Sequence, residues 1–106
     1  MATVMNHYLQ TLREQIGGMA FFMMGAKQMT FNNATNELRW RIANSTVNQI
    51  SVCYDIGEDL YRITFVTESR ATVSEVIIEQ LEANELHATI ERYTGLRLSL
   101  SRVYAR

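Results

Sequence analysis

The stretch NELRWRIANSTVNQISVCYDIGEDLYRITFVT (residues 36–67) decides the fold. Apolar and polar residues alternate through it with a period of two. Leu38, Trp40 and Ile42 share one side while Arg39 and Arg41 take the other, and Ile50, Val52 and Tyr54, then Tyr61, Ile63 and Phe65, repeat the pattern. Successive side chains of a strand point to opposite faces, so one face is expected to pack inward and the other to meet water. The polar separators NSTVN (44–48) and IGED (56–59) are turn sequences, which makes the region an antiparallel meander.

Moving outward, QMTF (28–31) reads as a preceding strand set off by NNATN (32–36). The segment ATVSEVIIEQ (71–80) can be read two ways, because Val73, Val76, Ile77 and Ile78 are β-branched whereas Glu75, Glu79 and Gln80 are helix formers. It is taken as a fifth strand that turns back at Ser69 and Arg70 onto the one before it. The turns are expected to rest on Asn32, Asn33, Asn36, Asn44, Gly57 and Asp59, residues that bond their own backbone or tolerate positive φ.

Both flanks change to helical spacing. Met5, Leu9, Leu12 and Ile16 form one apolar stripe, which Gly17 and Gly18 should stop. MAFFMM (19–24) fits a helical turn ended by Gly25 or a buried strand; the short helix is preferred. After the meander, Leu86, Ile90 and Tyr93 repeat at helical spacing, Gly95 closes the helix, and Leu96 and Leu98 lie beyond to pack under it. The expected architecture is therefore one α+β domain over residues 1–106. It is a four- to five-stranded antiparallel meander with amino- and carboxy-terminal helices packed on one face.

Length and composition agree with this. A chain of 106 residues suits one domain that hides roughly two thirds of its unfolded surface. The longest apolar run, residues 19–24, is too short to span a bilayer, and the opening MATVMNHYLQ lacks the pattern of a secretory signal, so a cytoplasmic protein without a membrane partner is expected. Cys53 is the single cysteine and reads as a half-buried strand residue rather than a reactive thiol. Met19, Met23, Met24 and Met29 read as core filling before an adaptable contact surface.

Net charge is only −1, yet the charges are segregated. From Asp55 to Glu91 there are nine acids against two bases, Arg62 and Arg70; after Glu91 come Arg92, Arg97, Arg102 and Arg106 and no acid. Such asymmetry suits head-to-tail self-association, a basic partner, or a nucleic acid held at the basic end.

Two motifs carry a resemblance. Gly17, Gly18, Phe21, Met24, Gly25, Ala26 and Lys27 make a GG-x-x-F-x-x-M-GAK pattern, and Thr94, Gly95, Leu96, Ser99 and Leu100 make TGL-x-x-SL after Leu86, Ile90 and Glu91. In their order and spacing they resemble a family of small proteins of phages, prophages and other mobile elements. The resemblance spans most of residues 12–100 and implies a mobile-element origin without implying an activity. The tail SRVYAR (101–106) departs from that pattern.

Catalytic signatures are missing. There is no G-x-x-x-x-G-K, no G-x-G-x-x-G and no nucleophile elbow, and His7 and His87 sit on separate helices without ligands at metal spacing. Both histidines are expected to face solvent. Carboxylate pairs such as Glu58 with Asp59 read as charged surface. A non-enzymatic protein with no cofactor and no metal is therefore expected. The candidate binding residues are Lys27, Arg39, Arg41, Arg92, Arg97, Arg102 and Tyr104. The preferred reading is an accessory protein that binds a host protein or signalling molecule and inhibits a host defence, with a homodimer as the expected assembly. The alternative is a nucleic acid, for which arginines with an aromatic neighbour supply phosphate contact and stacking.

Overall fold

Cross-strand register carries the fold. In the computed structural model, which describes residues 4–43 and 45–98, five strands lie side by side in chain order. They are β1 (Lys27–Asn32), β2 (Glu37–Arg41), β3 (Gln49–Asp55), β4 (Leu60–Glu68) and β5 (Val73–Leu81), all antiparallel. Trp40 stands opposite Ile50, Ile50 opposite Phe65, and Phe65 opposite Val76. A second row runs Phe31, Leu38, Val52, Ile63, Ile78. Directly opposed β-branched and aromatic pairs are what stabilise a sheet, at roughly 0.2–1 kcal/mol each.

Among the described residues three helices complete the α+β fold: α1 (His7–Ile16), α2 (Gly18–Met24) and α3 (Leu86–Thr94), the last entered through a 3₁₀ turn at Ala83–Glu85. Leu9, Leu12 and Ile16 of α1, Ala20 and Met24 of α2, and Leu86 and Ile90 of α3 join Leu38, Trp40, Ile50, Val52, Ile63 and Phe65 in one buried cluster. Phe21 meets Trp40 edge to face at 5.0 Å, and Tyr93 stacks on Phe65 at 5.0 Å. Leu98, beyond α3, is buried as expected. Tyr93 is partly exposed, and Thr94 completes the buried stripe in its place, its hydroxyl donating to the Ile90 carbonyl.

Several local devices differ from the sequence reading. Gly17 alone separates α1 from α2, with φ 88° and ψ 149°, a region essentially restricted to glycine; Gly18 is already the first residue of α2. MAFFMM is helical, as expected, and the left-handed Gly25 ends it. In the β3–β4 turn the side chain of Asp55 accepts from the backbone N–H groups of Gly57 and Glu58, and Asp59 takes the positive φ, so Gly57 is not the strained position. Asn44, expected in the β2–β3 turn, lies outside the described residues.

Three asparagines fasten α1 to the β1–β2 turn. Asn6 caps α1 by accepting from the Leu9 N–H at 2.9 Å, while its amide donates to Asn36 Oδ1 at 2.7 Å. Its backbone N–H donates to Asn33 Oδ1 at 2.8 Å. Asn36 is buried and holds φ 54°, and its carbonyl accepts from the Tyr54 N–H. Asn6→Ala should therefore cost about 1–2 kcal/mol, since a cap is lost and a buried amide oxygen loses its donor. Denaturant unfolding checks this, and Asn6→Asp should recover the cap while leaving the Asn36 contact broken.

Candidate interaction surface

The sheet residues of opposite parity to Trp40 form a polar face. Lys27 pairs in register with Arg41, and Arg39 pairs with Thr30, so three of the candidate residues stand together there. Their charges are largely occupied. Arg39 Nη2 lies 3.3 Å from Glu37 Oε1, Arg41 Nη2 lies 3.2 Å from Glu68 Oε1, and Glu37 also accepts from the Ser51 hydroxyl. Exposed pairs of this kind contribute about 0–1 kcal/mol to stability, but they leave less positive field for a phosphate backbone.

The other candidates are elsewhere. Arg92 lies in the last turn of α3 with its guanidinium 5.9 Å from the Tyr93 ring centroid, and Arg97 is exposed beyond Gly95. Tyr93 stacks on Phe65, which belongs to the Trp40 parity, so the fold does not join this arginine to Arg39 and Arg41. Arg102 and Tyr104 lie outside the described residues.

The titratable side chains have structural duties. His87, expected in solvent, is half-buried, and its Nε2 sits 2.6 Å from the Ile16 carbonyl oxygen; a carbonyl only accepts, so Nε2 carries the proton. Cys53 Sγ lies 3.0 Å from the Thr35 carbonyl, and burial pushes its thiol pKa up against the opposing pull of Arg62, the reverse of thiolate activation. Tyr8, Tyr54 and Tyr61 form an aromatic run, with centroids 5.4 Å and 4.9 Å apart. Tyr54 donates to Asp59 Oδ1 at 2.6 Å and Tyr61 to Gln15 Oε1 at 2.7 Å. Among the described residues no group of three or more His, Cys, Asp or Glu is placed to hold a metal ion, and no helix is long and apolar enough to cross a membrane.

What the site reading missed is β5. The strand is nine residues long and pairs only with β4, so its other edge is open among the described residues. Val73, Val76 and Ile77 are 65%, 46% and 50% exposed, while only Ile78 is half-buried and Leu81 buried. The sequence signal was present in its cluster of β-branched residues, but their exposure is not visible without knowing that β5 ends the sheet. The opposite edge is different: β1 has six residues, carries Lys27, and is interrupted where Gln28 takes φ 55° and the register shifts. Short, bulged, lysine-bearing edges resist further pairing, whereas long apolar ones invite it. A smaller apolar patch, Met19 and Phe22, is exposed on α2.

No protein-family model, curated protein or solved structure matches the chain.

The Tyr54–Asp59 bond makes a pH prediction. That hydrogen bond, with burial adding to it, pushes the Tyr54 pKa from 10.0 up to about 12. The folded protein thus holds this proton over a range where the unfolded chain has lost it, so the contribution is complete below about pH 10 and disappears as pH rises toward 12. Unfolding midpoints should fall across that window. Tyr54→Phe should lower stability at pH 8 and shrink the fall, leaving the part due to Tyr61, whose pKa burial also raises.

Proposed function

We propose that this chain is a non-enzymatic binding protein, an accessory of a mobile element that engages a protein partner along the free edge of β5. The observation that carries this reading is the exposure of Val73, Val76 and Ile77 on a nine-residue strand whose outer edge is open among the described residues. An added strand satisfies the open backbone N–H and C=O groups, and its alternate side chains meet those of β5. The resemblance to small phage and prophage proteins supports a setting in which the partner is a host protein, and the absence of catalytic signatures from the sequence supports contact as the activity. The nucleic-acid alternative is less favoured, because Glu37 and Glu68 already engage Arg39 and Arg41.

A test compares three forms as bait in host lysate: wild type, Ile77→Lys, and the pair Arg39→Glu with Arg41→Glu. Ile77 is half exposed, so the lysine variant should fold with a stability change within about 0.5–1 kcal/mol. The expected result is a partner retained by wild type and by the arginine variant but lost, by tenfold or more, with Ile77→Lys. Capture that survives Ile77→Lys and fails with the arginine variant would move the site from the β5 edge to Arg39 and Arg41 of β2.

A further inference from the structure

The β5 edge has a charge pattern as well as an apolar one. Glu75 stands opposite Val66, and Ile77 opposite Thr64, in the β4 register, so Val73, Glu75, Ile77 and Glu79 follow one another as alternate positions, apolar, acidic, apolar, acidic. No ion pair engages Glu75 or Glu79 among the described residues. The acidity continues past the strand: from Ala71 to Glu91 the chain carries five glutamates and no lysine or arginine. Arg62 shares with Glu79 a groove at the far end of β5. It lies on β4, and Glu75 does not line that groove.

Resting on the reading of β5 as the contact edge, we infer that its occupant is an extended protein segment bearing basic residues four positions apart with an apolar residue midway between them. In antiparallel pairing, residues on the added strand that stand opposite Glu75, Ile77 and Glu79 are spaced i, i+2 and i+4 on one face. Lysine or arginine at i and i+4 meets the two carboxylates, and valine or isoleucine at i+2 covers Ile77. A second copy of this chain fits less well. Pairing β5 with itself gathers four glutamates and no cation, and the two-fold register centred on Ile77 sets Glu75 directly against Glu79 of the other copy. The same acids explain how a long apolar edge is kept from self-pairing, since inward or flanking charges are a standard protection of such edges.

The experiment uses the full chain, isotopically labelled, and three synthetic nine-residue peptides of alternating valine and threonine. They carry lysine, glutamine or glutamate at the i and i+4 positions. Amide chemical shifts are followed to millimolar peptide, at 20 mM and 500 mM salt. The expected result is binding of the lysine peptide, with shifts concentrated on β5. Its affinity should exceed that of the glutamine peptide at least tenfold at low salt and approach it at high salt, and it should pass to the glutamate peptide when Glu75→Lys and Glu79→Lys are combined. Equal binding of the lysine and glutamine peptides, or preference for glutamate by wild type, overturns the basic partner and leaves β5 docking intact. Binding by none of the three, with the native spectrum retained, overturns both. Sedimentation as a dimer that Ile77→Lys converts to monomer assigns the edge to a second copy and overturns the inference as well.

Discussion

The structure depends on register. Trp40, Ile50 and Phe65 are opposite one another across three strands, as are Leu38, Val52 and Ile63, and the apolar stripes of all three helices share a buried cluster with these two rows. Because the side-chain period of a strand is two, a slip of one residue in any pairing would carry a whole row to the polar face and leave the helices nothing to pack on. Trp40 is fully buried and touches Phe21 edge to face, so β2 anchors the row at its largest member. Its indole Nε1 has no hydrogen-bond partner among the described residues, which marks its role as volume rather than polar contact.

That constraint is local in sequence, and this is why so much of the fold was legible. Each strand pairs with its chain neighbour, and the alternation of β2, β3 and β4 is written directly in residues 36–67. The ambiguous ATVSEVIIEQ became a strand because β4 offered it a partner, and its glutamates tolerate the strand by facing water at the edge. Propensity alone does not decide such a segment; pairing does. The Asn6–Asn33–Asn36 fastening was not legible. Asparagine signals a turn or a cap, but a bond between residues 30 apart depends on where α1 crosses the β1–β2 turn.

The candidate site shows the same division between local and global information. Composition located the arginines, and alternation placed Arg39 and Arg41 correctly opposite Trp40. Which carboxylate each would meet was beyond reach, since Arg41 finds Glu68 across the intervening β3 and 27 positions of sequence. Charge counting registered the acidic block but gave it no shape. The fold gives it one: part of that block lies along β5, where Glu75 and Glu79 alternate with Val73 and Ile77, so these acids and two exposed apolar residues belong to one face.

The two edges of the sheet then have opposite characters for a physical reason. β1 follows α2 after only Gly25 and Ala26, and its bulge at Gln28 breaks the ladder between Lys27 and Thr30. Its Met29 and Phe31 still pack against the core, so β1 has little apolar surface left to offer. β5 sits at the end of both apolar rows, where Val76 is 46% exposed and Ile78 half-buried, and it runs seven residues before the left-handed Gln80. A long edge of this kind is a hazard unless something covers it or charges defend it, and Glu75 and Glu79 are the defence available on β5. Protection by like charge is selective, because it repels a second acidic strand and attracts a basic one. Charges that oppose the pairing of β5 with another acidic strand therefore also favour a basic one in its place.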